Sequence, residues 1–157
     1  MPRMKWSELT TQQLGQYGEY YAKMEFASYG YDVYTSEVDD HGVDFVVKGP
    51  TGKFYEVQVK SVRQDNYLYI KYSRFQSNFS EYFIICYIRF QDNELPEIYL
   101  IPTSAWNKPN ALLPNYPYDK GQKSEPEIAI NYNEKNASLL DEWKSDHFFE
   151  GLLFTEK

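Results

Sequence analysis

A chain of 157 residues can bury a real hydrophobic core within one domain, and its formal net charge of −7 argues against a protein that coats nucleic acid by charge alone. Its one cysteine, Cys86, lies in the apolar run YFIICYIRF, which excludes an intrachain disulfide and a metal site built from thiolates. No stretch is apolar enough to span a membrane and the opening MPRMKWSELT lacks the apolar core of a signal peptide, so a cytoplasmic location with no membrane partner is expected.

The first predicted helix runs from Ser7 to Tyr29, with Ser7 or Thr10 as N-cap and Gly30 as the stop. Leu14, Tyr17, Tyr21, Ala22, Met24 and Phe26 recur at helical spacing, so one face should pack on a sheet. Gly18 costs a helix interior about 1 kcal/mol relative to Ala, which close packing against a strand would explain. Glu19 follows it, within i,i+4 reach of Lys23. Tyr31 to Thr35 is a short strand. The loop after it, SEVDDHG, carries Asp39, Asp40 and His41, which are extra metal ligands or a general base on one reading and a solvated acidic loop on the plainer one.

Two β-rich runs, Val43 to Val47 and Phe54 to Val62, flank Gly49, Pro50, Thr51 and Gly52, a hairpin signal. Alternation in the second run puts Glu56, Gln58 and Lys60 on one face and Tyr55, Val57, Val59 and Ser61 on the other. The Tyr/Val face has a core to join. An acid, an amide and an ammonium beside Asp44 suit phosphodiester hydrolysis: Asp44, Glu56 and the Gln58 carbonyl offer oxygens to Mg²⁺ or Mn²⁺, which needs only one or two protein carboxylates. Such an ion polarises the phosphate and acidifies a bound water, while Lys60 orients that water or offsets charge on the phosphoryl oxygens. The plainer reading is a solvated strand face.

Asn66 to Tyr72 alternates as another strand with Tyr67, Tyr69 and Lys71 on one face, placed to stack on exposed bases or, more simply, to pack. Ser73 to Ser80 reads as a short helix or turn, and Tyr82 to Phe90 as a strand buried on both faces. Glu97 to Pro102 is a further strand, and Ser104 to Trp106 begins a helical turn. The proline-rich stretch from Asn107 to Glu127 is expected to be a long surface loop, a candidate substrate clamp, with Glu127 to Asn131 returning as an edge strand. Ser138 to His147 is a closing helix capped by Ser138, with Leu139, Leu140 and Trp143 inward; His147 has no catalytic assignment. Phe148, Phe149, Leu152, Leu153 and Phe154 form an apolar tail that must dock on its own fold or on a second subunit. Acids outnumber bases on either side of a basic central segment, where Lys48, Lys53, Lys60, Arg63, Lys71 and Arg74 face only Glu56 and Asp65, so phosphate binding belongs around Asp44.

At these residues the chain resembles the PD-(D/E)XK nuclease superfamily, which includes restriction endonucleases and archaeal Holliday junction resolvases. Asp44 matches its first position, with Val43 in place of the proline, and Gln58-Val59-Lys60 matches the acid-X-Lys with Gln for the acid. The helix GQYGEYYAKMEFASYGYDVY is similar to the opening helix of that superfamily, with Glu19 at the position that points into the site. The resemblance covers residues 7–90 of one domain and leaves 91–157 as peripheral strands, loop and closing helix. It implies an α/β fold with a restriction endonuclease-like core, a central mixed β-sheet flanked by helices. It further implies Mg²⁺-dependent cleavage of DNA, with Asp44, Gln58, Lys60 and Glu19 as catalytic residues and Asp44, Gln58 and Glu56 at the metal. Members often dimerise, and the aromatic tail offers a surface for a homodimer. The neutral Gln58 and the acidic surface also fit a nuclease-like fold that no longer cuts and binds nucleic acid or protein instead.

Overall fold

The computed structural model describes residues 1–37, 42–64, 67–75, 79–117 and 125–155, with side chains described through 151. Asp39, Asp40, His41, Asp65 and Asn66 lie outside the described residues, as do the side chains of Leu152, Leu153 and Phe154. The chain opens with a 3-10 turn at Trp6–Glu8, and helix α1 starts only at Thr11–Ser28. Thr10 is the cap: its side chain accepts from the Gln13 N–H while the Gln13 side chain accepts from the Thr10 N–H, a reciprocal capping box. Ser7 is occupied elsewhere, its N–H and hydroxyl both donating to the Asp92 carboxylate. Arg63 closes the break by donating to the carbonyls of Trp6 and Leu9 at 2.9 and 2.7 Å.

Five strands form the main sheet: β1 (Asp32–Thr35), β2 (Phe45–Lys48), β3 (Phe54–Val62), β5 (Phe83–Arg89) and β6 (Glu97–Pro102), in the order β1-β2-β3-β5-β6. The β3–β5 pair is parallel and the other pairs are antiparallel, so the sheet is mixed. The hairpin between β2 and β3 closes at Gly49 to Lys53, with Gly52 at φ +92°, where a side chain would be strained. β4 (Tyr67–Lys71) leaves this sheet and joins β8 (Glu127–Asn131) and β7 (Asn115–Tyr116) in a second sheet ordered β4-β8-β7. Helix α2 spans Ser145–Thr155.

The centre of the main sheet is buried on both faces. On one, Phe45, Val47, Tyr55, Val57, Ile84, Cys86 and Ile88 pack under Leu14, Ala22 and Phe26 of α1 and Phe149 of α2. On the other, Val62, Phe83, Ile85, Tyr87 and Ile101 pack against Ile70, Ile128 and Ile130 of the second sheet, with Trp106, Leu112 and Leu113. β5 lies in both clusters, as its unbroken apolar run requires, and Cys86 is packing.

Three sequence expectations need correction. Glu127 to Asn131 is the central strand of the second sheet, with Ile128, Ala129 and Ile130 buried between neighbours on both sides. The stretch after Asn107 is not all surface loop: Leu112 and Leu113 are fully buried, held by their N–H groups donating to Asn110 Oδ1. The closing helix is two pieces, a 3-10 segment at Ala137–Trp143 and then α2, with the Lys144 backbone extended between them (φ −53°, ψ 140°). Leu140 is buried there, Leu139 is exposed and Ser138 lies inside the first piece without capping it. Of the aromatic tail, Phe148 and Phe149 dock on this fold, Phe149 stacking on Tyr29 at 4.0 Å between ring centroids.

Candidate active site

Asp44 sits one residue before β2, where that strand's backbone pairing with β3 ends. Its N–H donates to the Val57 carbonyl at 2.9 Å, and its carboxylate accepts from the Val59 N–H at 2.6 Å. The side chain thus continues the ladder where the backbone turns away, which holds the carboxylate against β3 beside Gln58 and Lys60.

Gln58 is 4% exposed, opposite Ile85 of β5. Gly42 covers it: with φ +74°, a Cβ there would stand 2.8 Å from Gln58 Nε2 and 2.2 Å from the Arg74 carbonyl oxygen. Gln58 Oε1 is buried with no hydrogen-bond partner among the described residues. A buried amide oxygen left alone costs about 1–3 kcal/mol, so Gln58 Oε1 is an acceptor open to a water or a ligand.

Lys60 lies two residues further along the same face, opposite Tyr87 and half-buried. Burial pushes its ammonium pKa below the ordinary lysine value; the Asp44 carboxylate opposes that shift and the Arg74 guanidinium adds to it. Lys60 forms no ion pair among the described residues. Arg74, which the sequence singled out only as part of a basic segment, therefore belongs to this site. It comes from the turn Tyr72–Arg74 after β4, and the C-terminal third of the chain pins that turn. The Tyr72 N–H donates to the Pro126 carbonyl at 2.9 Å, its hydroxyl to Asn115, and the Ser73 hydroxyl to Glu125 at 3.0 Å. Nothing in residues 72–74 announces this, because the contacts come from strands distant in sequence.

The remaining candidates lie further out. Glu56 shares the Gln58 face but is exposed and opposite Val46, about 7 Å along the strand from Gln58. Glu19 is half-buried and paired with Lys23 at 3.2 Å; the Lys23 ammonium sits 5.7 Å above the ring of Phe45, the neighbour of Asp44. Gly18 meets β3 as expected, since a Cβ there would lie 2.0 Å from Ser61 Oγ. Among the described residues, no three His, Cys, Asp or Glu side chains gather to hold a metal ion. A hard cation here would take the Asp44 carboxylate and the Gln58 carbonyl, with waters and phosphate completing its shell, a donor set that fits Mg²⁺. A separate groove of about 1040 Å³, lined by Arg63, Arg89, Glu97 and Tyr132 among others, does not include Asp44, Gln58 or Lys60.

No protein-family model matches the sequence, and no curated protein does. Among solved structures, the chain aligns with the bacterial homing endonuclease I-Ssp6803I at 17% identity and a TM-score of 0.51, covering 93% of each chain. It also aligns with Hjc, a Holliday junction resolvase from Archaeoglobus fulgidus, over 76% of this chain and 91% of that one, at 11% identity and a TM-score of 0.46. The first likeness shows the fold. The chain has an α/β, restriction endonuclease-like core around a mixed sheet.

Proposed function

We propose that this protein is a divalent-metal-dependent endonuclease that hydrolyses DNA phosphodiester bonds at Asp44, Gln58 and Lys60. The observation that carries the reading is the buried Gln58 carbonyl oxygen, without a hydrogen-bond partner among the described residues, beside the Asp44 carboxylate and next to a half-buried lysine that forms no ion pair among those residues. Mg²⁺, or Mn²⁺ in its place, would be held by Asp44 and Gln58 and would supply phosphate polarisation and a more acidic bound water. Glu56, exposed on the same strand face, adds negative charge at a distance, offsetting in part the acid that Gln58 replaces. Asp44 is fixed by the Val59 N–H, so its carboxylate is oriented before any ligand arrives. Lys60, destabilised as a cation by burial, regains favourable contact when phosphoryl oxygens enter, and Arg74 adds a second positive charge there. Glu19, neutralised by Lys23, acts at one remove by positioning the Phe45–Asp44 segment.

A second reading, a nuclease-like fold that binds nucleic acid or protein without cutting, draws support from the lack of a three-acid cluster among the described residues and from the net charge of −7. Incubation of wild type and Lys60→Ala with plasmid, linear and branched DNA in Mg²⁺, Mn²⁺ or EDTA separates the two. Metal-dependent cutting by wild type alone supports the nuclease. No cutting on any substrate, with calorimetry showing no metal binding, supports the silent module.

A further inference from the structure

The outer face of the second sheet carries side chains that packing does not explain. Along β4, Ile70 is buried and Leu68 half-buried against the core, while Tyr67, Tyr69 and Lys71 face outward, the two tyrosines 46% and 53% exposed. Tyr116 of β7 is 47% exposed. Register puts Tyr69 opposite Ala129, and both Lys71 and Tyr116 opposite Glu127, so all lie on one face. Ala129 itself is fully buried between the strands that carry those rings. Tyr67 and Tyr69 are thus only partly packed, each leaving about half of its surface open.

The charges on this face are unevenly committed. The Glu127 carboxylate accepts from the Tyr67 hydroxyl at 3.0 Å, while Lys71, its cross-strand neighbour, forms no ion pair among the described residues. β4 then runs straight into the turn that carries Arg74, likewise without an ion pair, to Lys60. Exposed rings beside cations that form no ion pair among the described residues, in one stretch of chain leading to the site, are what an unpaired strand of nucleic acid binds. Bases stack on rings whatever their sequence, and phosphates take the cations.

We propose that Tyr69 and Tyr116, with Lys71 and Arg74 alongside, form a stacking platform for unpaired nucleotides flanking the bond that is cut. This rests on the DNA reading of the Asp44 site. The substrate class it selects is DNA with a single-stranded or splayed segment beside the scissile phosphate.

The test titrates a labelled oligothymidylate and a duplex of equal length with the full chain in EDTA, so that cleavage plays no part. The single strand should bind more tightly than the duplex, and Tyr69→Ala with Tyr116→Ala should lower that preference by about tenfold or more. Tyr69→Phe with Tyr116→Phe should retain it, since stacking needs the ring and not the hydroxyl. A wild type that does not prefer the single strand, an alanine pair that binds like wild type, or a phenylalanine pair as impaired as the alanine pair would overturn the proposal. Cleavage in Mg²⁺ is read separately: single-strand preference without cleavage keeps the platform and defeats the nuclease reading, and cleavage without the preference does the reverse.

Discussion

Gly18 of α1 and Ser61 of β3 share a space that holds only one of their side chains: a Cβ at Gly18 would stand 2.0 Å from Ser61 Oγ and 3.3 Å from Ser61 Cβ. Ala at 18 would gain about 1 kcal/mol of helix propensity, yet the clash is with a buried hydroxyl on a strand that cannot retreat. Gly18→Ala should therefore lower stability by about 1–2 kcal/mol net. Ser61→Ala removes a hydroxyl with no hydrogen-bond partner among the described residues, and should be neutral or better. In urea denaturation the double variant should recover part of the loss; a Gly18→Ala protein more stable than wild type would show that the close approach does not constrain the helix.

Asp44 has two roles that two substitutions separate. Asp44→Ala removes the acceptor for the Val59 N–H and should cost about 1–3 kcal/mol even in EDTA. Asp44→Asn keeps an acceptor and should be milder. In thermal melts wild type should gain stability with Mn²⁺, about 2.7 kcal/mol at a hundred times the Kd, and Asp44→Asn should gain little. Equal gains in the two proteins would place the ion elsewhere.

Lys60 gives the fold a pH dependence of definite sign. Its folded pKa is depressed, so between that value and the ordinary 10.5 the unfolded chain holds more protons. Stability should then rise with pH across this window, relative to a Lys60→Met variant that has no ammonium. Paired denaturation curves at neutral and alkaline pH measure the difference, and a flat difference would mean that Lys60 is solvated as in the unfolded chain. Arg74→Gln should narrow the window by relieving part of the depression.

Phe149 anchors α2 on the helix side of the main sheet, 2% exposed and packed among Phe26, Tyr29 and Tyr31. Phe149→Ala should cost about 3–5 kcal/mol and expose α2 to protease. Gln58 and Lys60 line the opposite face of the sheet, so the Mn²⁺-induced gain in melting temperature should survive this substitution at temperatures where the protein is folded. Loss of that gain in the folded variant would couple the two faces.

Much of this was legible in the residues. Thr10 stands as one of two candidate caps, though a helix start at Ser7 is too early, the apolar run around Phe83–Arg89 declares a strand with no solvent face, and alternation in β3 brings Gln58 and Lys60 to one side. Those signals are local, complete within a few residues. The second sheet was not legible, because β4 finds its partner in β8, and a strand's pattern does not name its neighbour. Leu112 and Leu113 were hidden by the prolines around them, which mark turns without saying what lies beneath. The 3-10 segment Ala137–Trp143 carries the same apolar spacing as an α-helix over so short a run, so periodicity could not separate them. Arg74 reaches the site on a turn held by residues 115, 125 and 126 and by the buried ring of Phe75.

Those contacts also set an order of assembly. The Tyr67↔Asn131 and Lys71↔Glu127 pairings close loops across much of the chain, and such non-local pairing is slow because its entropy is lost before contacts reward it. On the ribosome, the hairpin and α1 emerge early, while the turn bearing Arg74 waits for β8 to be translated. A chain halted before Glu127 would hold Asp44 and Lys60 without the strand that tethers the turn beside them. Synthesis itself thus delays completion of the site until most of the protein exists.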